Sequence, residues 1–265
     1  MADPTLSTRG VALDIAEVSR IGGRSSNQDA CARSDNGALV CLVVADGAGG
    51  HEGGEIASAL AVQAVIGAFE RSPGCTQALL RALIARATLD VQQQKIGRPQ
   101  LAAMSATVAT VLLDRAQGQA AWAHLGDTRI YLFRNGRVLH ATRDHSLVQQ
   151  LIDGGLAVGA DPRTHKRRNV LYAAIGAESD VPPSLQPPLA LLPGDAILIC
   201  SDGLWEWVTE DVMEACLAVA GGAGAATATA QAWLDALCAA ADQASAASAD
   251  TRDNYTAQAV IVGAP

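Results

Sequence analysis

Four short apolar runs follow one another between Ala106 and Ala141, at Ala106 to Leu113, Gln119 to His124, Ile130 to Phe133 and Val138 to Ala141. The last two are separated by Asn135-Gly136, the two-residue signal of a tight hairpin. This spacing predicts a meander of neighbouring antiparallel strands. Further strand-like runs stand at Val11 to Val18, Ala38 to Ala45, Ala196 to Cys200 and Ala257 to Val262. The second is almost continuously apolar, so it is expected to be buried on both faces. Helical spacing appears in pairs, first from Ile56 to Phe69 and from Leu79 to Val91. Thr209 stands where it can cap a helix, and Trp233, Leu234, Leu237 and Cys238 give the alanine-rich stretch Ala215 to Ala249 a helical apolar face. Strands in hairpins and helices in pairs, without strict βαβ alternation, point to antiparallel sheets covered by helices.

At 265 residues one large domain is expected. Hydrophobic residues make up 49% of the chain, yet there are only two Phe and three Tyr, so the core must be built from Ala, Val, Leu and Ile. A net charge of -8 and a pI near 5.0 disfavour a nucleic-acid partner, which needs basic surface. No apolar run reaches bilayer length and Met1 to Gly10 is polar, so the expected protein is cytoplasmic with no membrane partner. The six cysteines are scattered without C-x-x-C pairing, which argues against a zinc site and a disulfide framework.

Aspartate recurs where apolar runs give out, at Asp46-Gly47, Gly126-Asp127, Asp202-Gly203 and Asp253-Asn254, with Asp29 a fifth candidate. Any one of these reads more readily as a turn residue than as a ligand. Asp202-Gly203 resists that reading, because Leu204-Trp205-Glu206-Trp207 behind it looks like a helix or loop rather than a returning strand. Were the aspartates to meet, two carboxylates about 4 Å apart would repel by about 4 kcal/mol at an effective dielectric of 20, and cations would be needed to hold them together. All-oxygen ligands select hard ions, Mg²⁺, Mn²⁺ or Ca²⁺, and catalysis favours the first two. The glycine-rich segment Asp46 to Glu55 fails as a nucleotide loop, since Glu52 replaces the third glycine of G-x-G-x-x-G and no G-K-[ST] follows.

Taken in order, Arg24-Ser-Ser-Asn-Gln-Asp29, Asp46-Gly-Ala-Gly-Gly-His-Glu-Gly-Gly-Glu55, Met104-Ser-Ala-Thr107, His124-Leu-Gly-Asp-Thr-Arg-Ile-Tyr131, Thr142-Arg-Asp-His-Ser146, Ser201-Asp-Gly-Leu204 and Asp253-Asn254 resemble the metal-dependent type 2C (PPM) serine/threonine phosphatases in their compact bacterial form. The resemblance runs from about Arg9 to Val262. It implies an α+β fold, a four-layer αββα sandwich of two antiparallel sheets packed face to face and flanked by helix pairs. One catalytic domain would fill residues 1–265, with a core of about 9–262 and a flap of about 153–170.

The resemblance also implies roles. Asp46 would bridge two Mn²⁺ or Mg²⁺ ions, with Gly47 lending its carbonyl, Asp202 and Asp253 completing the pair and Asp29 acting directly or through water. Asp127 with Asp202 would hold a third ion. The two ions would activate a water for direct attack on phosphorus, with no phosphoenzyme, and Arg24 would clamp the phosphate. Substrates would be phosphoserine and phosphothreonine proteins, a cognate Ser/Thr kinase or its targets among them, and the protein would be a monomer. Three positions depart from the family's habits: Ala48 where animal members carry a histidine thought to protonate the leaving group, Ala106 where glycine is usual, and Gln28 where an acid is frequent. His51 is then a candidate general acid, its alternative a hydrogen bond that orders the loop. Arg167 and Arg168, in the one basic run of the chain, are candidates for substrate docking, against the alternative of a solvated loop. A cysteine phosphatase is disfavoured because Glu206, not arginine, stands six positions after Cys200. A catalytically silent binding module of the same fold is the remaining alternative.

Overall fold

The computed structural model describes residues 10–48, 53–221, 228–248 and 251–264. The strands are β1 (Ala12–Arg20), β2 (Asp29–Asp35), β3 (Leu39–Ala48), β4 (Ser105–Ala106), β5 (Val108–Asp114), β6 (Gln119–Leu125), β7 (Arg129–Arg134), β8 (Arg137–Ala141), β9 (Ser184–Ala190), β10 (Ala196–Cys200) and β11 (Tyr255–Gly263). The helices are α1 (Gly53–Arg71), α2 (Gln77–Lys95), α3 (Leu147–Asp153), the single turn α4 (Asp202–Trp205), α5 (Glu210–Ala220) and α6 (Ala230–Ala246). Two antiparallel sheets result, ordered β1-β11-β10-β7-β8 and β2-β3-β5-β6-β9, with β4 paired to the end of β3.

Alternation along the strands assembles four layers. In β3, Val40, Leu42 and Val44 face the other sheet, while Cys41, Val43 and Ala45 pack beneath α1 and α2. In β10, Ile197 and Ile199 face inward between the sheets, and Ala196, Leu198 and Cys200 pack against α5 and α6. Both strands are buried on both faces because each sheet has a neighbour on either side. The hairpin at Asn135-Gly136 takes φ of 53° and 71°, the left-handed pair that a type I′ turn requires.

Several boundaries differ from the sequence reading. β2 was hidden because its apolar members, Ala30, Cys31 and Ala32, are small and flanked by polar residues. β9 contains Pro187 and Pro188 and lies at the sheet's edge, where missing N–H donors cost no ladder bonds. The run from Ala106 is interrupted at Thr107, whose backbone N–H turns to the Asp46 carbonyl at 2.8 Å. The alanine-rich stretch is not one helix: α5 ends before Gly221, and Thr229 caps α6 by accepting the Ala232 N–H at 3.2 Å. Thr209 occupies the N-cap position of α5, but its side chain makes no cap bond.

Candidate active site

The strand ends converge at one end of the sandwich. β2 and β3 pair with Asp29 opposite Asp46, so the antiparallel register itself brings these two acids together. Asp46 closes the apolar run of β3, Asp127 lies in the turn between β6 and β7, Asp202 begins α4 directly after β10, and Asp253 precedes β11. Asp127 is buried, whereas Asp29, Asp46, Asp202 and Asp253 keep part of their surface open.

Backbone packing at this end is tight enough to exclude side chains. A Cβ at Gly47 would lie 2.0 Å from the Gly54 carbonyl oxygen, and one at Gly203 would lie 2.0 Å from that of Asn254. Only glycine lets the two crossings close, and each crossing carries an acid beside it. Asn254 stitches the Ile21 to Gln28 loop to the same place. Its Nδ2 donates to the carbonyls of Ile21 and Ser26 at 2.7 and 2.9 Å, and its Oδ1 accepts the Gln28 N–H at 2.8 Å.

The electrostatics are those of acids short of positive charge. Asp46 is pushed well above the usual carboxylate range, first by burial and then by the charges of Asp202, Asp29, Asp127 and Asp253. Asp127 is raised well above it by burial and then by Asp202. Burial also lifts Asp29 to about 7, against the hydrogen bond it accepts from Ser201 Oγ at 2.7 Å. Asp202 rises to about 6, by burial first and the Asp253 charge second, while a hydrogen bond with Asp46 opposes the rise. One oxygen each of Asp29 and Asp202 is buried without any hydrogen-bond partner. Buried carboxylate oxygens left unpaired are costly unless a cation or ordered solvent meets them. Among the described residues no three acidic, imidazole or thiol groups close into a finished cage. The fit to a hard divalent cation therefore rests on the all-oxygen donors and the orphaned oxygens.

Arg24 donates from Nη2 to Asp253 Oδ2 at 2.5 Å, with half of its side chain exposed. His51 lies outside the described residues. Arg168 does not project free for docking: its Nε donates to Glu206 Oε1 at 2.7 Å. Glu206 is itself raised to about 7, by burial first and by the Asp202 charge second. Arg163, from the same basic run, donates to the Trp205 carbonyl at 3.1 Å and to Glu210 at 2.9 Å. These two arginines tie the segment after α3 to α4 and to the start of α5, while Arg167 is exposed. Cys200 is fully buried and burial drives its thiol pKa far up, which removes it as a nucleophile.

Residues to which the motifs assigned no role hold the acids. Thr107 Oγ1 accepts the Asp46 N–H at 3.0 Å and meets Thr128 Oγ1 at 2.5 Å. Trp205 Nε1 donates to the Asp127 carbonyl at 2.9 Å, and the Arg129 guanidinium lies over the Trp205 ring at 3.5 Å. Arg129 is fixed by a buried two-pronged pair with Asp144, both contacts at 2.8 Å. Arg252 donates to the Gly203 carbonyl at 3.0 Å. Thr107, Thr128, Arg129 and Asp144 stand inside the motifs that carry the resemblance, while Trp205 and Arg252 only border them.

Comparison with known proteins agrees with this geometry. The serine/threonine phosphatase stp of Listeria monocytogenes is 33% identical over 181 residues, covering 65% of this chain and 69% of its own length. The catalytic domain of the serine/threonine protein phosphatase PstP, solved with two manganese ions, superposes with a TM-score of 0.77 at 27% identity, over 96% of this chain and 99% of that one. PppA, a regulatory component of T6SS in Pseudomonas aeruginosa, superposes with a TM-score of 0.74 at 30% identity, over 96% and 100%. Residues 18–213 match the family description Protein phosphatase 2C. With that match spanning most of the chain and the acids gathered as described, the chain belongs to the protein phosphatase 2C family.

Proposed function

We propose that this enzyme hydrolyses phosphoserine and phosphothreonine in proteins, with divalent cations held by Asp46, Asp202 and Asp253, the Gly47 carbonyl and, directly or through water, Asp29. The observation that carries the reading is the meeting of these carboxylates around orphaned oxygens in a chain of this family. Mn²⁺ or Mg²⁺ would suit these all-oxygen donors, and Asp127 with Asp202 would hold a third ion. Bound there, the cations neutralise the acids and lower the pKa of water enough for attack at phosphorus.

The chain's own residues do the rest. Ser201 and Thr107, anchored to Thr256 and Thr128, hold Asp29 and Asp46 in place from behind. The half-exposed Arg24 fork is suited to pair with two phosphate oxygens, and its ion pair with Asp253 keeps it beside the acids. As the new P–O bond forms, the ester P–O bond breaks and the serine or threonine oxygen leaves with a proton. Ala48 has no group to supply that proton; His51 is the candidate donor. Arg167 is the remaining docking candidate of the basic run, since Arg168 is engaged by Glu206. The kinase-opposing role, cytoplasmic site and monomeric state are part of the same proposal; no helix among the described residues is long and apolar enough to cross a membrane.

The test is hydrolysis of p-nitrophenyl phosphate and a phosphothreonine peptide by metal-stripped protein, with Mn²⁺ or Mg²⁺ added back and with a thiol alkylator present. Activity restored by cation and indifferent to alkylation is the expected result. No turnover with either ion would overturn the assignment in favour of a silent binding module.

A further inference from the structure

The peptide before Asp127 is held in an unusual state. Gly126 has φ of 108°, and a Cβ there would lie 2.6 Å from the Thr107 side chain. A backbone in that region persists where its surroundings determine it. One residue grips both of its polar groups: the Gly126 N–H donates to His145 Nδ1 at 3.0 Å, and the Gly126 carbonyl accepts the His145 backbone N–H at 2.9 Å.

The partners also dictate where the imidazole proton lies. Nδ1 accepts, so the neutral ring carries its hydrogen on Nε2, which donates to Ser184 Oγ at 2.9 Å. Ser184 pairs in register with His124, whose ring stacks on His145 with 4.7 Å between centroids and 8° between planes. His124 donates in turn from Nε2 to the Arg143 carbonyl at 2.8 Å. Tyr172 packs edge-on against His145 at 5.7 Å, and its N–H donates to the His145 carbonyl at 2.9 Å. Both imidazoles are buried, and burial is the main reason each sits near a pKa of about 4. A ring this constrained does more than fill space, because a protonated or reversed His145 has no acceptor for Gly126.

We infer that His145 is the positioning residue for Asp127: by holding both the N–H and the carbonyl of Gly126 it fixes the peptides on either side of that residue and sets the direction of the Asp127 carboxylate toward Asp202. The inference rests on the reading of Asp127 as a ligand of the third cation.

Calorimetric Mn²⁺ titration of metal-stripped wild type, D127N, H145F and H145N tests it, beside nitrogen NMR of the imidazoles in the wild type. His145→Phe keeps the ring and loses the acceptor, whereas His145→Asn offers an amide oxygen where Nδ1 stood. The expected result is that D127N and H145F each weaken the weakest Mn²⁺ site about 10- to 100-fold, with the tighter sites little changed and H145N recovering most of the loss. NMR is expected to show the Nε2–H tautomer. D127N leaving every Mn²⁺ site intact would overturn the ligand reading itself. D127N effective but H145F silent, or H145F weakening all sites equally, would overturn the positioning role alone. Should H145F not fold, the wild-type spectrum decides, since an Nδ1–H tautomer is incompatible with the Gly126 bond.

Discussion

The same strands build two regions of opposite character. Between the sheets, Val40, Leu42, Val44, Ile197, Ile199, Val260 and Val262 are buried against one another. Where these strands give out, Asp46, Asp202 and Asp253 crowd together, and the Asp253 charge adds to the burial that raises the proton affinity of Asp46 and Asp202. The first region stabilises by excluding water, at about 1.5–3 kcal/mol for each fully buried aliphatic side chain. The second is destabilising by itself, since like charges in a poorly solvated site repel. The contrast teaches that the apolar sandwich carries the stability while the acidic end, where the proposed chemistry belongs, works against it, an arrangement common where function needs a strained site.

Substitutions should therefore separate the two regions. Asp202→Asn is expected to lower kcat/KM by about 10³-fold, because it removes charge that the cations need, while the metal-free protein still unfolds cooperatively. A variant retaining a tenth of wild-type turnover would show that Asp202 is not a ligand. Leu42→Ala is expected to do the converse, destabilising by about 2–5 kcal/mol in denaturant titrations with kcat per folded molecule unchanged.

A third prediction concerns pH, and its sign follows from the raised carboxyls. Asp29 and Asp202 lie at about 7 and about 6 when folded, above their unfolded values, so ionisation costs stability as pH rises through that window. In metal-free protein, Asp46→Asn should thus raise Tm most near about pH 8 and hardly at all near about pH 4, where the acids are protonated anyway. Saturating Mn²⁺ should stabilise the wild type and not the variant. A variant gain that grows toward low pH would contradict the repulsion argument. The smallest effect is expected at the latch between the two arginines and α4: Arg168→Ala should change kcat/KM by only a few-fold, because its pair with Glu206 is partly solvent-screened. A loss as large as that of Asp202→Asn would place Arg168 in the chemistry itself.

Much of this was legible without coordinates. Strand runs, the Asn135-Gly136 hairpin and the helix pairs follow from periodicity, which reports burial one element at a time. β2 and β9 were missed because their composition is polar or proline-rich, and only their neighbours make them strands. The aspartates could be named as candidates, and their motifs, in order, resembled a known family. Their surroundings were another matter. Ser201 reaches Asp29 across 172 positions of chain, Trp205 reaches the Asp127 carbonyl across 78, and Arg24 meets Asp253 across 229.

Local pattern settled which residues could be apolar strand, helix face or acidic turn, because propensity and periodicity act over a few residues. Folding settled which acids share a site, which hydroxyls and rings hold them, and that Arg168 is occupied by Glu206. Those outcomes depend on distance in space, and Coulomb and hydrogen-bond energies are set by separation and burial rather than by position along the chain.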